Sequence, residues 1–242
     1  MVTSNLIDSN SGRRQIQRSR RTLATEVYDL LKWDILTCEL LPGQMISESD
    51  LVRQFEVSKT PIREALKMLT QEGLVRSMPS IGYVVAPIDL DELQEIYDMQ
   101  KILETAAVER AIERITDEEL DRLEELVGES FVLSDKESII RWFKSNTEFH
   151  IAIAEASGNR RLVEALRNVL EEMFRPGFLA ELYSGLNTEV FIADHRRIVE
   201  ALRRKDAKLA VEWLTRQSEI GITAVIDALA KRGLQGDPEK SL

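Results

Sequence analysis

The chain has 242 residues, of which 43% are hydrophobic and 31% charged, and its net charge is −10. This length and apolar content sustain one large core or two ordinary ones and exclude disorder as the main state, and no apolar run approaches the ~20 residues that cross a bilayer. Net acidity excludes a protein that coats nucleic acid along its whole surface, but it leaves a local basic patch open.

The charge is unevenly spread. Residues 1–85 hold 11 basic and 10 acidic side chains, net +1, and the remainder holds 21 basic and 32 acidic, net −11. Arg13, Arg14, Arg18, Arg20 and Arg21 fall in a polar stretch, residues 1–21, and no acid lies between the first of them and the last. Such a run is either a solvated tail or an arm that neutralises phosphates beside a DNA-binding module. The N-terminus lacks the apolar core of a secretory signal, and the single cysteine, Cys38, has no disulfide partner within the chain. Both point to the cytoplasm.

After the arm, Ala24, Val27, Tyr28, Leu31 and Ile35 recur at helical spacing and predict a helix over 22–37. Leu41-Pro42-Gly43 ends it. Ser47 reads as the N-cap of a short helix through Gln54, and Ser58 as the cap of another running to Gln71, with Pro61 tolerated in its first turn. Residues 74–78 and 83–86 carry β-favouring side chains around Pro79-Ser80-Ile81-Gly82, which predicts a hairpin. Three helices and a hairpin over 22–86 outline a winged helix-turn-helix.

Beyond Pro87 every periodic segment is helical, over 89–114, 116–133, 137–156, 159–175, 188–204 and 206–232. Asp89, Thr116, Asp135 and Asp206 stand at starts, Pro176-Gly177 reads as a break, Gly185 lies in a loop, and 233–242 reads as a tail. The expected fold is mainly α, an N-terminal winged helix-turn-helix followed by an all-α bundle over 89–232.

Polar residues interrupt the apolar stripes of that bundle. Asn146 and His150 share a face with Ile139, Phe143 and Ile153, and His195 lies among Phe191, Ile198 and Leu202. Gln100 and Gln217 fall inward on the first and last helices of the bundle. Each buried polar group costs a few kcal/mol unless paired, so these five, including both histidines of the chain, predict a ligand pocket. A structural polar network is the plainer alternative.

The N-terminal block resembles the winged-helix domain of the GntR family of bacterial transcription regulators. The residues that carry the resemblance are Leu41-Pro42-Gly43, Glu48, Leu51, the run Val57-Ser58-Lys59-Thr60-Pro61-Ile62-Arg63-Glu64-Ala65-Leu66, and Glu72-Gly73-Leu74-Val75. It implies that the helix from Lys59 enters the major groove and that the hairpin tip around Ser80 and Gly82 reaches the minor groove. The side chains suit those roles. Ser58, Thr60 and the helix N-terminus can hold a phosphate, Arg53 another, and Arg63 can fork onto a guanine edge. Arg63 paired with Glu64 on a solvated face is the plainer alternative. Lys59 stands where the family usually has Arg, and Ile81 where a basic residue is frequent.

The helical half resembles the FCD effector domain of the FadR-type branch. The resemblance rests on Glu104, Ala106 and Ala107, Phe149-His150, Ala156-Ser157-Gly158-Asn159, Asp194-His195-Arg196-Arg197-Ile198, Asp206 and Ala210. It implies a small-molecule effector, a homodimer on a pseudo-palindromic operator, and in many members a divalent metal held by an Asp and three His with a nearby Arg. Here Asn146 replaces the usual Asp, Gln217 the third His and Gln100 the Arg. Asn146, His150 and His195 can still hold Zn²⁺ or Ni²⁺, though weakly without an anionic ligand. A hydrogen-bonded network, or contact with an uncharged or hydroxyl-rich effector, is the other reading; the lost Arg weakens the case for a carboxylate effector, for which Arg141 or Arg175 would have to stand in.

The reading is a ligand-responsive DNA-binding regulator, with a repressor expected, and not an enzyme. The sequence has no Gly-x-Ser-x-Gly elbow, and Thr147 and Ile192 occupy the positions where a di-iron bundle needs Glu. A helical-bundle metalloenzyme is the weaker alternative, and an architectural DNA-binding protein with a purely structural bundle the stronger.

Overall fold

The computed structural model describes residues 22–79, 82–127, 135–184 and 188–233. The Arg-rich arm, Ser80 and Ile81 at the hairpin tip, Gly185 and the tail past Gly233 lie outside the described residues. The chain divides into two units, Met1–Ile35 with Glu39–Ala86, and Leu36–Cys38 with Pro87–Leu242.

The first unit opens with α1 (Leu23–Leu36), followed by β1 (Met45–Ile46), α2 (Glu48–Phe55), α3 (Lys59–Gln71), β2 (Val75–Met78) and β3 (Gly82–Val85). Val27, Leu31 and Ile35 of α1 meet Leu51 and Phe55 of α2 and Ile62, Leu66 and Leu69 of α3 in one apolar core. Ser47 caps α2 by accepting from the Asp50 N–H at 3.4 Å. Ser58 occupies the N-cap position of α3, yet its side chain makes no capping bond, contrary to expectation. Pro61, three residues on, removes one of the two N–H groups such a cap can bond, leaving only that of Thr60. Lys32 of α1 reaches Glu72, just past α3, at 2.6 Å, and Tyr28 donates to the same carboxylate.

The sheet has a third strand that the sequence reading lacks. Its order is β1-β3-β2, antiparallel throughout, with Met45 opposite Val84 and Val75 opposite Val85. β1 is two residues long, too short for alternation to register. It is extended by mutual bonds outside the strand, Gly43 N–H to the Val85 carbonyl and Val85 N–H to the Gln44 carbonyl, both 2.9 Å.

The second unit contains α4 (Leu90–Ala111), α5 (Asp117–Leu126), α6 (Lys136–Ala156), α7 (Arg160–Glu172), α8 (Phe174–Tyr183), α9 (Glu189–Arg203) and α10 (Ala207–Arg232). Asp89, Thr116, Asp135, Asn159 and Asp206 cap α4, α5, α6, α7 and α10 through their side chains, and Thr116 with Glu119 forms a full capping box. Pro176-Gly177 does not simply break a helix running to 175. α7 ends at Glu172 and a separate helix, α8, begins at Phe174 with Pro176 in its first turn, where a missing N–H removes no helical bond. The first bundle helix ends at Ala111 rather than residue 114. α10 packs against α4, α8 and α9. The main core gathers Phe149, Ile198, Leu202 and Leu214, and a second cluster holds Ala107, Ala154 and Leu166. Among the described residues no helix is long and apolar enough to cross a membrane.

Candidate functional site

In the first unit, α3 buries Pro61, Ile62, Ala65, Leu66 and Leu69, which leaves one face to solvent. Lys59, Thr60, Arg63, Glu64 and Lys67 form that face, with Ser58 exposed at its start. Arg63 pairs with Glu48 of α2, its Nε lying 3.1 and 3.0 Å from the two carboxylate oxygens, and not with Glu64. Arg53 pairs with Asp50 on its own helix. Both arginines are well exposed, and exposed pairs are worth about 0–1 kcal/mol, so phosphate or base edges can displace them at small cost. Gly82 has a φ of 129°, and a Cβ there would sit 3.2 Å from the Ile46 carbonyl oxygen. Its local role is to let β3 begin against β1. Lys67, one turn beyond Arg63, was not singled out in the sequence, although its i+4 spacing places it on the same face.

Within the second unit a cavity of about 80 Å³ lies among α4, α6, α7, α8, α9 and α10. Gln100, Asn146, His150 and Gln217 all stand on its wall. His195 does not. It is only 1% exposed, stacks on Phe149 at 4.1 Å between centroids, and lies 5.4 Å from the His150 ring at a steep angle. Burial, with the neighbouring His150, holds its pKa well below the usual histidine range against an opposing effect of the Val127 carbonyl, so the ring is neutral at pH 7.

The polar wall is ordered by residues that the sequence reading did not place in the pocket. Ser218 donates to the Gln100 carbonyl oxygen at 3.2 Å, and Gln100 donates to Glu104 Oε1 at 3.0 Å. That same oxygen lies 2.7 Å from His150 Nδ1, at ion-pair range but out of line for a hydrogen bond. Gln217 donates to the Phe191 carbonyl at 3.1 Å, and its own carbonyl oxygen is buried without a hydrogen bond. Glu104 therefore supplies a carboxyl group beside His150 where none was expected. Its position four residues after Gln100 was the available signal. Glu181 also lines the cavity, 3% exposed, with Oε2 buried and unbonded, and burial pushes its carboxyl up to about 8. It lies on α8, the helix that the Pro-Gly pair concealed.

The arginines expected to stand in are elsewhere. Arg141 is exposed and 3.5 Å from Asp135, and Arg175 is buried on α8 but absent from the wall. Of the three expected metal ligands, Asn146 and His150 line the cavity and His195 does not. Among the described residues no three His, Cys, Asp or Glu side chains are grouped to hold an ion, and the two imidazoles differ in their access to the cavity.

Two family patterns match the chain. Residues 23–85 match the bacterial regulatory proteins of the gntR family, and residues 95–217 match the FCD domain. The HTH-type transcriptional regulator YdhC of Bacillus subtilis is 31% identical over 190 residues, covering 76% of this chain and 83% of that protein. The gluconate operon transcriptional repressor of Bacillus licheniformis is 28% identical, with 81% and 82% covered. Among solved structures, McbR/YncC of E. coli superposes with a TM-score of 0.59 at 26% identity, covering 85% of this chain and 98% of that one.

Proposed function

The chain belongs to the GntR family of bacterial transcription regulators and carries an FCD domain, and from that premise we propose that it represses transcription as a homodimer whose helical unit senses a small molecule. The cavity among the helices, with its buried and incompletely bonded polar atoms, is the observation that carries the sensor. The exposed face of α3 supports operator reading, with Arg63 as the base-reading side chain, Ser58, Lys59, Thr60 and Arg53 on phosphates, and the tip around Ser80 and Gly82 in the minor groove. A relative bearing the name of a repressor supports the sign.

In this reading two copies of α3 address half-sites about one helical turn apart, and the effector changes the arrangement that fits them. The test is operator selection from genomic DNA followed by fluorescence anisotropy at fixed salt, with sedimentation for the oligomer. Arg63→Ala weakens operator binding about 5- to 150-fold, the equivalent of one lost bidentate base contact, and affects random DNA much less. A small-molecule extract of the host shifts operator affinity. Equal losses on operator and random DNA would remove Arg63 from base reading, and indifference to every extract would favour a structural bundle.

The cavity itself is read as a hydrogen-bonding site and not a metal centre. Elemental analysis of untagged protein purified without chelator then finds Zn and Ni well below one ion per chain, and a stoichiometric ion held by Asn146, His150 and His195 reverses that reading.

A further inference from the structure

The cavity wall combines aromatic rings with acid. Tyr97, Trp142, Phe143, Phe174 and Phe191 all line it. Trp142 packs edge-on against Phe143 at 5.0 Å and against Phe191 at 5.8 Å, and Phe143 lies 5.2 Å from Phe174. Glu181 opens onto the same space with an unbonded carboxyl oxygen, and Glu104 stands behind His150. No Lys or Arg is among the described residues on the wall.

Resting on the sensor reading above, we propose that this cavity takes a small organic cation, an alkylammonium or quaternary ammonium ion, held against Glu181 within the aromatic wall. Ring faces attract cations through their quadrupole, more strongly where water is excluded. A carboxylate ligand would instead find no Lys or Arg on the wall to neutralise its charge. The cavity volume of about 80 Å³ is room for a small ligand and not for a bulky one.

Burial leaves the Glu181 proton in place at neutral pH, and arrival of a cation releases that proton to solvent. The other titratable groups facing this space are Tyr97 from α4 and His150 from α6, with Glu104 of α4 behind. α7, α9 and α10 contribute uncharged side chains. Tyr97 keeps its proton because burial, and then Glu181, raise its pKa.

The test is calorimetric titration of the full chain at pH 8 with propylammonium, tetramethylammonium, 1-propanol and butyrate, repeated on Glu181→Gln. At least one ammonium ion binds saturably and more tightly than the alcohol or the acid. The glutamine variant loses at least about thirtyfold in ammonium affinity, as expected for a buried charge pair cut on one side, and keeps its affinity for 1-propanol. Absence of ammonium binding, parity with 1-propanol, preference for butyrate, or an unchanged E181Q affinity overturns the inference. If the variant fails to fold, the ammonium-to-alcohol ratio in the unaltered protein decides. A host extract that releases operator while no ammonium ion binds overturns this ligand class and leaves the sensor standing. Ammonium binding with no change in operator affinity removes the sensor and keeps the ligand class.

Discussion

At the scale of single residues, Glu181 binds its proton more tightly folded than unfolded, because burial raises its carboxyl to about 8 from an ordinary 4.5. A folded state that holds more protons than the unfolded chain loses stability as pH rises. For this side chain the loss runs from about pH 4.5 to about 8 and then levels off. Glu181→Gln keeps the shape and removes the titration, so its melting temperature should exceed that of the unaltered protein by several degrees at pH 8 and converge with it near pH 4.5. Melting curves across that range check the sign, and a gap independent of pH would show that Glu181 is paired or solvated. Two glycines shape the same wall. A Cβ at Gly177 would meet the Phe143 ring at 2.9 Å, and one at Gly221 the Tyr97 hydroxyl at 2.9 Å. Gly221 costs α10 about 1 kcal/mol of helix propensity relative to Ala, and the space it leaves is taken by Tyr97.

At the scale of elements, caps and periodicity were legible because they are local. Asp89, Thr116, Asp135 and Asp206 each accept from the N–H groups of the helix that follows, and spacing alone placed Gln100, Asn146, His150 and Gln217 on inward faces. What spacing leaves undetermined is which inward face reaches the cavity. His195 occupies an equally apolar stripe, but the stacked ring of Phe149 places it in the core. Glu181 was missed for a different reason. Proline in a first turn and proline after a last turn look alike in sequence, and only the packing of α8 against α10 separates them. Asp194 shows what the same blindness costs for charges. It is fully buried between Arg197, three residues on along α9 and 3.0 Å away, and Arg216 of α10; the first pair follows from helical spacing, and only the second is set by the packing of α9 on α10.

At the scale of the whole molecule, the net charge of −10 conceals a near-neutral reader and a helical unit of strongly negative charge. An acidic sensor repels the duplex and leaves the winged helix as the attractive face, so affinity depends on few cations and each matters. Deleting residues 1–21 therefore lowers operator affinity and flattens its salt dependence, by about 0.9 in the log–log slope for each arginine that neutralises a phosphate. Anisotropy titrations at several salt concentrations measure this, and an unchanged slope makes the arm a bystander. The longest helix sets how a cavity event travels. α10 carries Gln217, Ser218 and Gly221 on the wall partway along its 26 residues, a rod about 39 Å long. The wall thus meets that rod near its centre, about 20 Å from either end. In the sensor reading proposed above, a ligand seated there is felt at both ends alike when the rod shifts as one body, and either end can carry the message onward.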